Sequence, residues 1–275
     1  MKRATTLANA ETMRKIRFLG VVAIVASLSG SAAFALDPMG PPAARVPEGW
    51  FSIGFDFSHS ETDIDLIDGR WVENDDGVIK AGSAFDLTIK DFEVNKLYGS
   101  VGYGFMENWE AFLKVGATAA EFGDSIWNDS EDFESNSQFG IGGGVRATFY
   151  EAFKFKIGGL FQVNWSEFDG KLDAAHWPAP DSLDVNLTQM QIALGVSYML
   201  RDWVWVYGGP FAHYIKGDLE DIYTDFELTW DIDEGPIYGG FIGAEMKVAR
   251  DLFFNVEYQH SSDADAFGAG LMFRF

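Results

Sequence analysis

The stretch Ala266-Phe-Gly-Ala-Gly-Leu-Met-Phe-Arg-Phe275 decides the fold of this chain. Phe267, Ala269, Leu271, Phe273 and Phe275 alternate with Gly268, Gly270, Met272 and Arg274. Side chains two residues apart share one face of a β-strand. One face is therefore uniformly apolar, and the other is small except for Met272 and one charge. The sequence stops on an aromatic residue.

The same alternation recurs upstream. Trp50–His59 puts Phe51, Ile53, Phe55 and Phe57 opposite Ser52, Gly54, Asp56 and Ser58. Phe153–Glu167 puts Phe155, Ile157, Phe161, Val163 and Trp165 opposite Lys154, Lys156, Gln162 and Asn164. Further alternating segments run over 96–105, 110–122, 138–149, 185–200, 203–216, 237–248 and 252–260. Each has about the 9–11 residues that a tilted strand needs to cross a bilayer, or somewhat more. Four connections are tight: Met106–Trp109, Tyr150–Ala152, Arg201–Asp202 and Ala249–Asp251. The connections between them are mostly long: 60–95, 123–137, 168–184 and 217–236. Short turns at one end and long loops at the other are the pattern of a bacterial membrane barrel.

The expected fold is all-β: one transmembrane antiparallel up-and-down barrel over residues 50–275, with about ten strands and twelve as the alternative. Aromatics near both strand ends, among them Trp109, Trp203, Tyr238 and Tyr258, suit two interfacial girdles. A soluble sandwich would bury the apolar face. The other face here is too rich in Gly, Lys, Glu and Gln to serve instead as its core. Alternation in Phe85–Ile89 and Phe226–Ile232 falls inside the expected loops. It reads as hairpin extensions above the membrane, with bulges at the phase breaks. Gly208-Gly209-Pro210 reads as another bulge, because proline cannot donate to a ladder.

These segments resemble the small outer-membrane β-barrel proteins of Gram-negative bacteria. The final strand ending in Phe273 and Phe275 resembles the signal that the barrel-assembly machinery reads. That resemblance implies an outer-membrane location, with outer-membrane lipid, lipopolysaccharide and the assembly machinery as partners. A monomer is expected. The amino terminus agrees. Arg14, Lys15 and Arg17 precede the apolar run 18–28, and Ala33-Phe34-Ala35 is an A-x-A cleavage site, so residues 1–35 read as a cleaved signal peptide. Met13 is an alternative start. Residues 36–49 are rich in Pro and Gly and read as a periplasmic lead-in.

Composition excludes several classes. The chain has no cysteine, which removes a disulfide scaffold and a lipidated N-terminal Cys. Its net charge is −22, and residues 1–35 hold five of the basic residues, so the remainder is more acidic still. Such a polyanion will not bind nucleic acid through its surface field.

Inward parity assigns a lumen lining of Asp56, Lys96, Lys114, Arg146, Lys154, Lys156, Glu245, Lys247, Glu257 and Arg274. The interior of a barrel of about eight strands is just filled by side chains, whereas open pores need ~16 strands. A mutually satisfied plug is therefore favoured over an open channel. No catalytic residue and no metal site are assigned, no cofactor is expected, and the protein is read as a non-enzyme. The acidic loops offer only a weak case for Ca²⁺ or Mg²⁺, since Asp63-x-Asp65-x-x-Asp68-Gly69 misses EF-hand spacing. Ten strands and rim histidines resemble the omptin proteases, but no Asp-x-His or Asp-x-Asp pair matches their motif. The expected role is structural or surface-interacting. A narrow porin-like channel is the alternative, and a rim hydrolase the third reading.

Overall fold

A computed structural model describes residues 36–75, 78–123, 131–174, 182–223 and 226–275. Residues 1–35, read above as a signal peptide, lie outside them. The described residues form one antiparallel sheet of twelve strands. These are β1 (Phe51–Asp75), β2 (Val78–Ser83), β3 (Leu87–Met106), β4 (Trp109–Gly123), β5 (Glu131–Ser135) and β6 (Gln138–Ala152). Then come β7 (Phe155–Ala174), β8 (Ser182–Arg201), β9 (Val204–Ile222), β10 (Phe226–Ala249), β11 (Leu252–Ser261) and β12 (Ala264–Arg274).

The sheet closes on itself, because β12 pairs with β1 from Ser52↔Arg274 to Thr62↔Ala264. Two strands do not add to the circumference. β2 pairs only with β1 and makes a hairpin at its far end. β5 and β6 both run between β4 and β7, so they are one strand interrupted at Asn136-Ser137. The ring is therefore ten strands around. Tight turns at 107–108, 153–154, 202–203 and 250–251 line one end. Asn108, Phe153 and Asp251 adopt positive φ there, of 66°, 52° and 60°.

The wall is not uniform along its length. β11 and β12 are only 10 and 11 residues long, and their hairpin stops at Ser261–Ala264. Beyond it β1 and β10 pair directly, from Leu66↔Ile232 to Glu73↔Phe226. The ring thus narrows from ten strands to eight. This corrects the sequence reading of 60–95 and 217–236 as loops; they are mostly strand, and Gly170↔Leu183 carries the ladder into 168–184 as well.

Polarity inverts at the step. In the ten-stranded part Phe55, Leu113, Ile192, Leu194 and Ile242 point outward and are more than half exposed. So continuous an apolar exterior exceeds what soluble monomers show and suits hydrocarbon. In the eight-stranded part Ile64, Leu66, Phe92, Phe122, Phe168, Leu187, Ile215 and Trp230 face inward as a buried core. Eight strands enclose about what side chains fill. Phe122 stacks on Phe133 at 4.7 Å between ring centroids, and Phe92 meets the edge of Phe168 at 6.1 Å.

This inversion explains the phase breaks. In β7 the even positions face inward throughout: Gln162, Asn164, Ser166 and then Phe168. Only the identity of the inner residues changes, and no bulge is present there. One expected bulge does occur, at Asp91 (φ 53°), between the buried Ile89 and Phe92. Pro210 does not make one. Gly240↔Pro210 and Phe241↔Gly209 stay in register with β10. On the other side the ladder between β8 and β9 lacks pairs between Ala193↔Phe211 and Val196↔Gly208, which is where the missing proline N–H falls. The break in β10 lies instead between Glu234 and Ile237.

Candidate functional site

The interior of the ten-stranded part is occupied by the chain's own residues 36–46. Leu36, Asp37, Pro38, Met39, Gly40, Pro41, Pro42 and Ala43 are all buried. This corrects the expectation of a periplasmic lead-in over 36–49. The segment enters at the tight-turn end, where Glu48 bridges to Gly104, and runs upward to Leu36. It lacks alternation and could not pair as a strand, since three of its residues are proline. Its backbone polar groups are satisfied by wall side chains instead.

Inner-face glycines make room for it. An added Cβ at Gly158 would lie 2.5 Å from Ala43 Cα, and one at Gly195 3.0 Å from Pro42 Cγ. Gly104 and Gly268 are likewise packed against Pro47 and Pro38. The glycine-rich inner face was visible in the sequence; that it accommodates a second chain segment was not.

The wall then holds the segment with charges. Lys96 Nζ lies 3.1 Å from Asp37 Oδ1 and also donates to Gln189. Lys114 donates to the Pro38 carbonyl at 3.1 Å. Arg146 donates to the Met39 carbonyl at 2.7 Å and to Glu110 Oε1 at 2.9 Å, over the face of Phe112. Glu110 Oε2 accepts from the Arg45 and Val46 amides at 2.7 and 3.2 Å. Glu257 accepts from the Met39 amide at 2.8 Å. Glu245 pairs with Arg45 at 3.4 Å, and Arg274 donates to the Arg45 carbonyl. Asp56 is half-buried beside Gly270 and Asn255.

Seven of the ten assigned lining residues thus surround this segment. The other three do not. Lys154 sits in the turn after Phe153, because β6 runs on to Ala152 and shifts the turn by two residues. Lys156 pairs with Glu151 at 3.0 Å near that turn, half exposed. Lys247 is half-buried over the Phe253 ring. Glu110, Asp37 and Arg45 were missed. Asp37 and Arg45 lay in the presumed lead-in, and Glu110 stood at a strand end where parity is ambiguous.

At the terminal strand, Phe273 and Phe275 point outward and stack at 6.0 Å. The Phe275 amide donates to the Phe51 carbonyl at 3.0 Å and the reverse bond is 2.9 Å, so the last residue ties the seam.

The outer rim is acidic. Burial, and then the neighbouring Asp65, Asp263 and Asp63 carboxylates, push Glu234 up to about 7, against the opposing Asp65 amide at 3.2 Å. Burial, and then Asp169 and Glu167, also raise Asp184. Among the described residues no group of three or more His, Cys, Asp or Glu side chains is arranged to hold a metal. His260 Nδ1 lies 2.6 Å from Asp265, a contact the sequence reading did not find. The two serines that follow it are engaged elsewhere: Ser261 Oγ bonds the Ala264 carbonyl and Ser262 Oγ bonds Asp263. His213 is not at the rim; it is buried in the lumen.

The chain resembles solved outer-membrane proteins at low identity. Against the toluene transporter TbuX of Ralstonia pickettii it shows 12% identity and a TM-score of 0.40, covering 89% of this chain and 95% of that one. OprG of Pseudomonas aeruginosa gives 13%, 0.43, 84% and 97%. The outer-membrane protease OmpT of Escherichia coli gives 12%, 0.43, 88% and 99%. No curated protein matches. The family model for the outer membrane protein beta-barrel domain matches residues 110–275, more than half the chain. On that match the chain belongs to the outer-membrane β-barrel family, and its place is the outer membrane.

Proposed function

We propose that the protein is a closed, non-enzymatic barrel that anchors an acidic β-extension at the cell surface, where it has a structural or surface-interaction role. One observation carries this reading: the interior is filled twice over. Residues 36–46 occupy the ten-stranded part, and the apolar core occupies the eight-stranded part. A solute path would have to cross both. Apolar cores pack at crystal-like density and leave few voids larger than a water molecule. The extension lengthens the wall beyond the membrane without adding volume, as suits a platform rather than a conduit.

The test is a planar-bilayer recording of the refolded protein. No steady discrete conductance is expected. Reproducible unitary steps would replace this reading with that of a narrow channel. Hydrolysis of lipid or peptide that disappears in His260→Ala would replace it with an enzyme.

A further inference from the structure

The tight turns at one end of the ring are not alike. Three of them hold a residue at positive φ: Asn108, Phe153 and Asp251. Asparagine and aspartate tolerate the left-handed region, whereas a bulky side chain is strained there. Nothing in the protein covers the ring of Phe153. It is 95% exposed, more than any other large apolar side chain among the described residues. The backbone beneath it is fixed, since the Lys154 carbonyl accepts from the Met199 amide at 2.8 Å. The turn therefore presents a strained phenylalanine on a firm support, and strain of that kind points to function.

The ring continues the lipid-facing band. Phe149 and Tyr150, just before it on β6, are more than half exposed. Phe155, just after it on β7, pairs in register with the outward Tyr198 of β8. The local charge is also distinct. Lys156 is matched by Glu151 at 3.0 Å. Lys154 Nζ lies 6.0 Å from the centroid of the Phe153 ring and makes no ion pair among the described residues. On a chain of net charge −22, this turn thus sets one unmatched cation beside one uncovered ring.

We propose that the β6–β7 turn binds phospholipid of the inner leaflet, with a preference for an anionic headgroup. Short turns of such barrels lie at the periplasmic end, next to that leaflet. Phe153 enters among the acyl chains, and Lys154 takes the headgroup phosphate. An apolar ring and a cation on adjacent residues match the two parts of one lipid. The neighbouring turns, with Asn108 and Asp251 at the equivalent backbone position, lack this pairing. The site lies at the opposite end from the acidic extension and does not depend on the role proposed for it.

The chain has no cysteine, so Phe153→Cys and Asn108→Cys each supply one thiol at a left-handed turn position. Both full-length proteins carry the same fluorophore and are refolded into vesicles of phosphatidylcholine and phosphatidylglycerol with nitroxide-labelled acyl chains. The label at position 153 is expected to be quenched about twice as strongly as that at 108, or more. Equal quenching overturns the seating of this turn in lipid. Shielding of the 153 label from both acyl-chain and water-soluble quenchers also overturns it, because the ring would then meet a protein. Asp251→Cys supplies the reference if Asn108→Cys does not fold. A second measurement keeps Phe153 in place. Phospholipid retained after detergent extraction from mixed vesicles is weighed by mass spectrometry. The unaltered protein is expected to enrich phosphatidylglycerol, and Lys154→Gln to lower that enrichment by about two- to fivefold. Lys156→Gln, whose charge is already matched, should lower it less. Enrichment unchanged in Lys154→Gln overturns the headgroup contact. The heat-modifiable migration of each variant reports that it has folded.

Discussion

The two ends of β1 are built from the same kinds of residue with opposite facing. In its first half Phe51, Ile53, Phe55 and Phe57 look outward, and Ser52, Ser58 and Ser60 look inward. In its second half Ile64 and Leu66 look inward, while Asp63 and Asp65 look outward. The pleat never changes parity across this span. What changes is the solvent. Around the first half it is lipid, and the interior must satisfy a second chain segment by hydrogen bonding. Around the second half it is water, so the hydrophobic effect drives apolar side chains into the ring. One closed sheet therefore holds two proteins' worth of polarity, and the step from ten strands to eight marks the border.

The comparison breaks most visibly under a charge placed on the same strand on either side of the border. Phe92→Lys in β3 buries an unpaired ammonium in the apolar core, and a loss of well over ~3 kcal/mol is expected for the extension. Limited proteolysis should then cut above the Ser261–Ala264 hairpin, while the ten-stranded ring keeps its heat-modifiable migration. Leu97→Lys, outward on the same strand, should instead cost membrane insertion, by an amount that approaches about 2–4 kcal/mol at the bilayer midplane and falls toward the interface. If Phe92→Lys abolished the folded gel form while Leu97→Lys left it untouched, the two regions would not be separable in this way.

The polar filling can be tested within one pair. Glu110 and Arg146 are almost fully buried and 2.9 Å apart. Glu110→Gln leaves Arg146 uncompensated and also weakens the acceptor for the Arg45 and Val46 amides. A loss of about 3–5 kcal/mol is expected in denaturant unfolding of the detergent-folded barrel. The double change Glu110→Met with Arg146→Met should recover the part of that loss due to the uncompensated charge, but not the bonds to the Met39 carbonyl and the Arg45 and Val46 amides. No recovery in the double variant would mean that the lumen segment, rather than the pair, sets the cost.

Gly158→Ala sharpens the same point on a smaller scale. The new Cβ would meet the Ala43 backbone at 2.5 Å, and backbone yields poorly. About 1–3 kcal/mol of overpacking is expected. Combined with Met39→Cys, which puts a single thiol at a fully buried position of the lumen segment, it should appear as faster thiol labelling, and an unchanged labelling rate would place residues 36–46 elsewhere.

How far the sequence carried these results depends on what each residue could signal locally. The ring, its tight turns and its closing strand were legible because alternation is a local property, and Phe275 met Phe51 as parity required. The extension was half legible. Phe226–Ile232 and Phe85–Ile89 showed their alternation, yet 168–184, where Phe168 follows Gln162, Asn164 and Ser166 on an unbroken pleat, read as a loop. The lumen segment was illegible. Pro38, Pro41 and Pro42 carry a composition that reads as a linker, and its partners lie 50 or more residues away, as Asp37 and Lys96 illustrate. The side chains that face it appeared only as charges in need of partners.

The last expected effect is a pH dependence confined to one side of the border. Glu234 stands level with Ile64, just above the short hairpin, and is held up at about 7 by burial and by the carboxylates of Asp65, Asp263 and Asp63. An acid whose folded value lies above its ordinary value near 4.5 binds protons more tightly when folded. Stability of the extension therefore falls as pH rises from about 4.5 through about 7, and is flat beyond. Asp184 and Glu220, raised in the same direction by burial and like charge, reinforce the slope at its acidic end. Hydrogen exchange of β1 and β10 above the hairpin should accordingly slow between pH 8 and pH 5, after correction for the intrinsic rate. Glu234→Gln keeps the side-chain shape without the charge, so it should remove most of that change and hold the exchange at its slower limit. If the slope persists undiminished in Glu234→Gln, the carboxylates around Glu234 do not act as a repelling cluster, and water reaches the border of the two regions more freely than its packing implies.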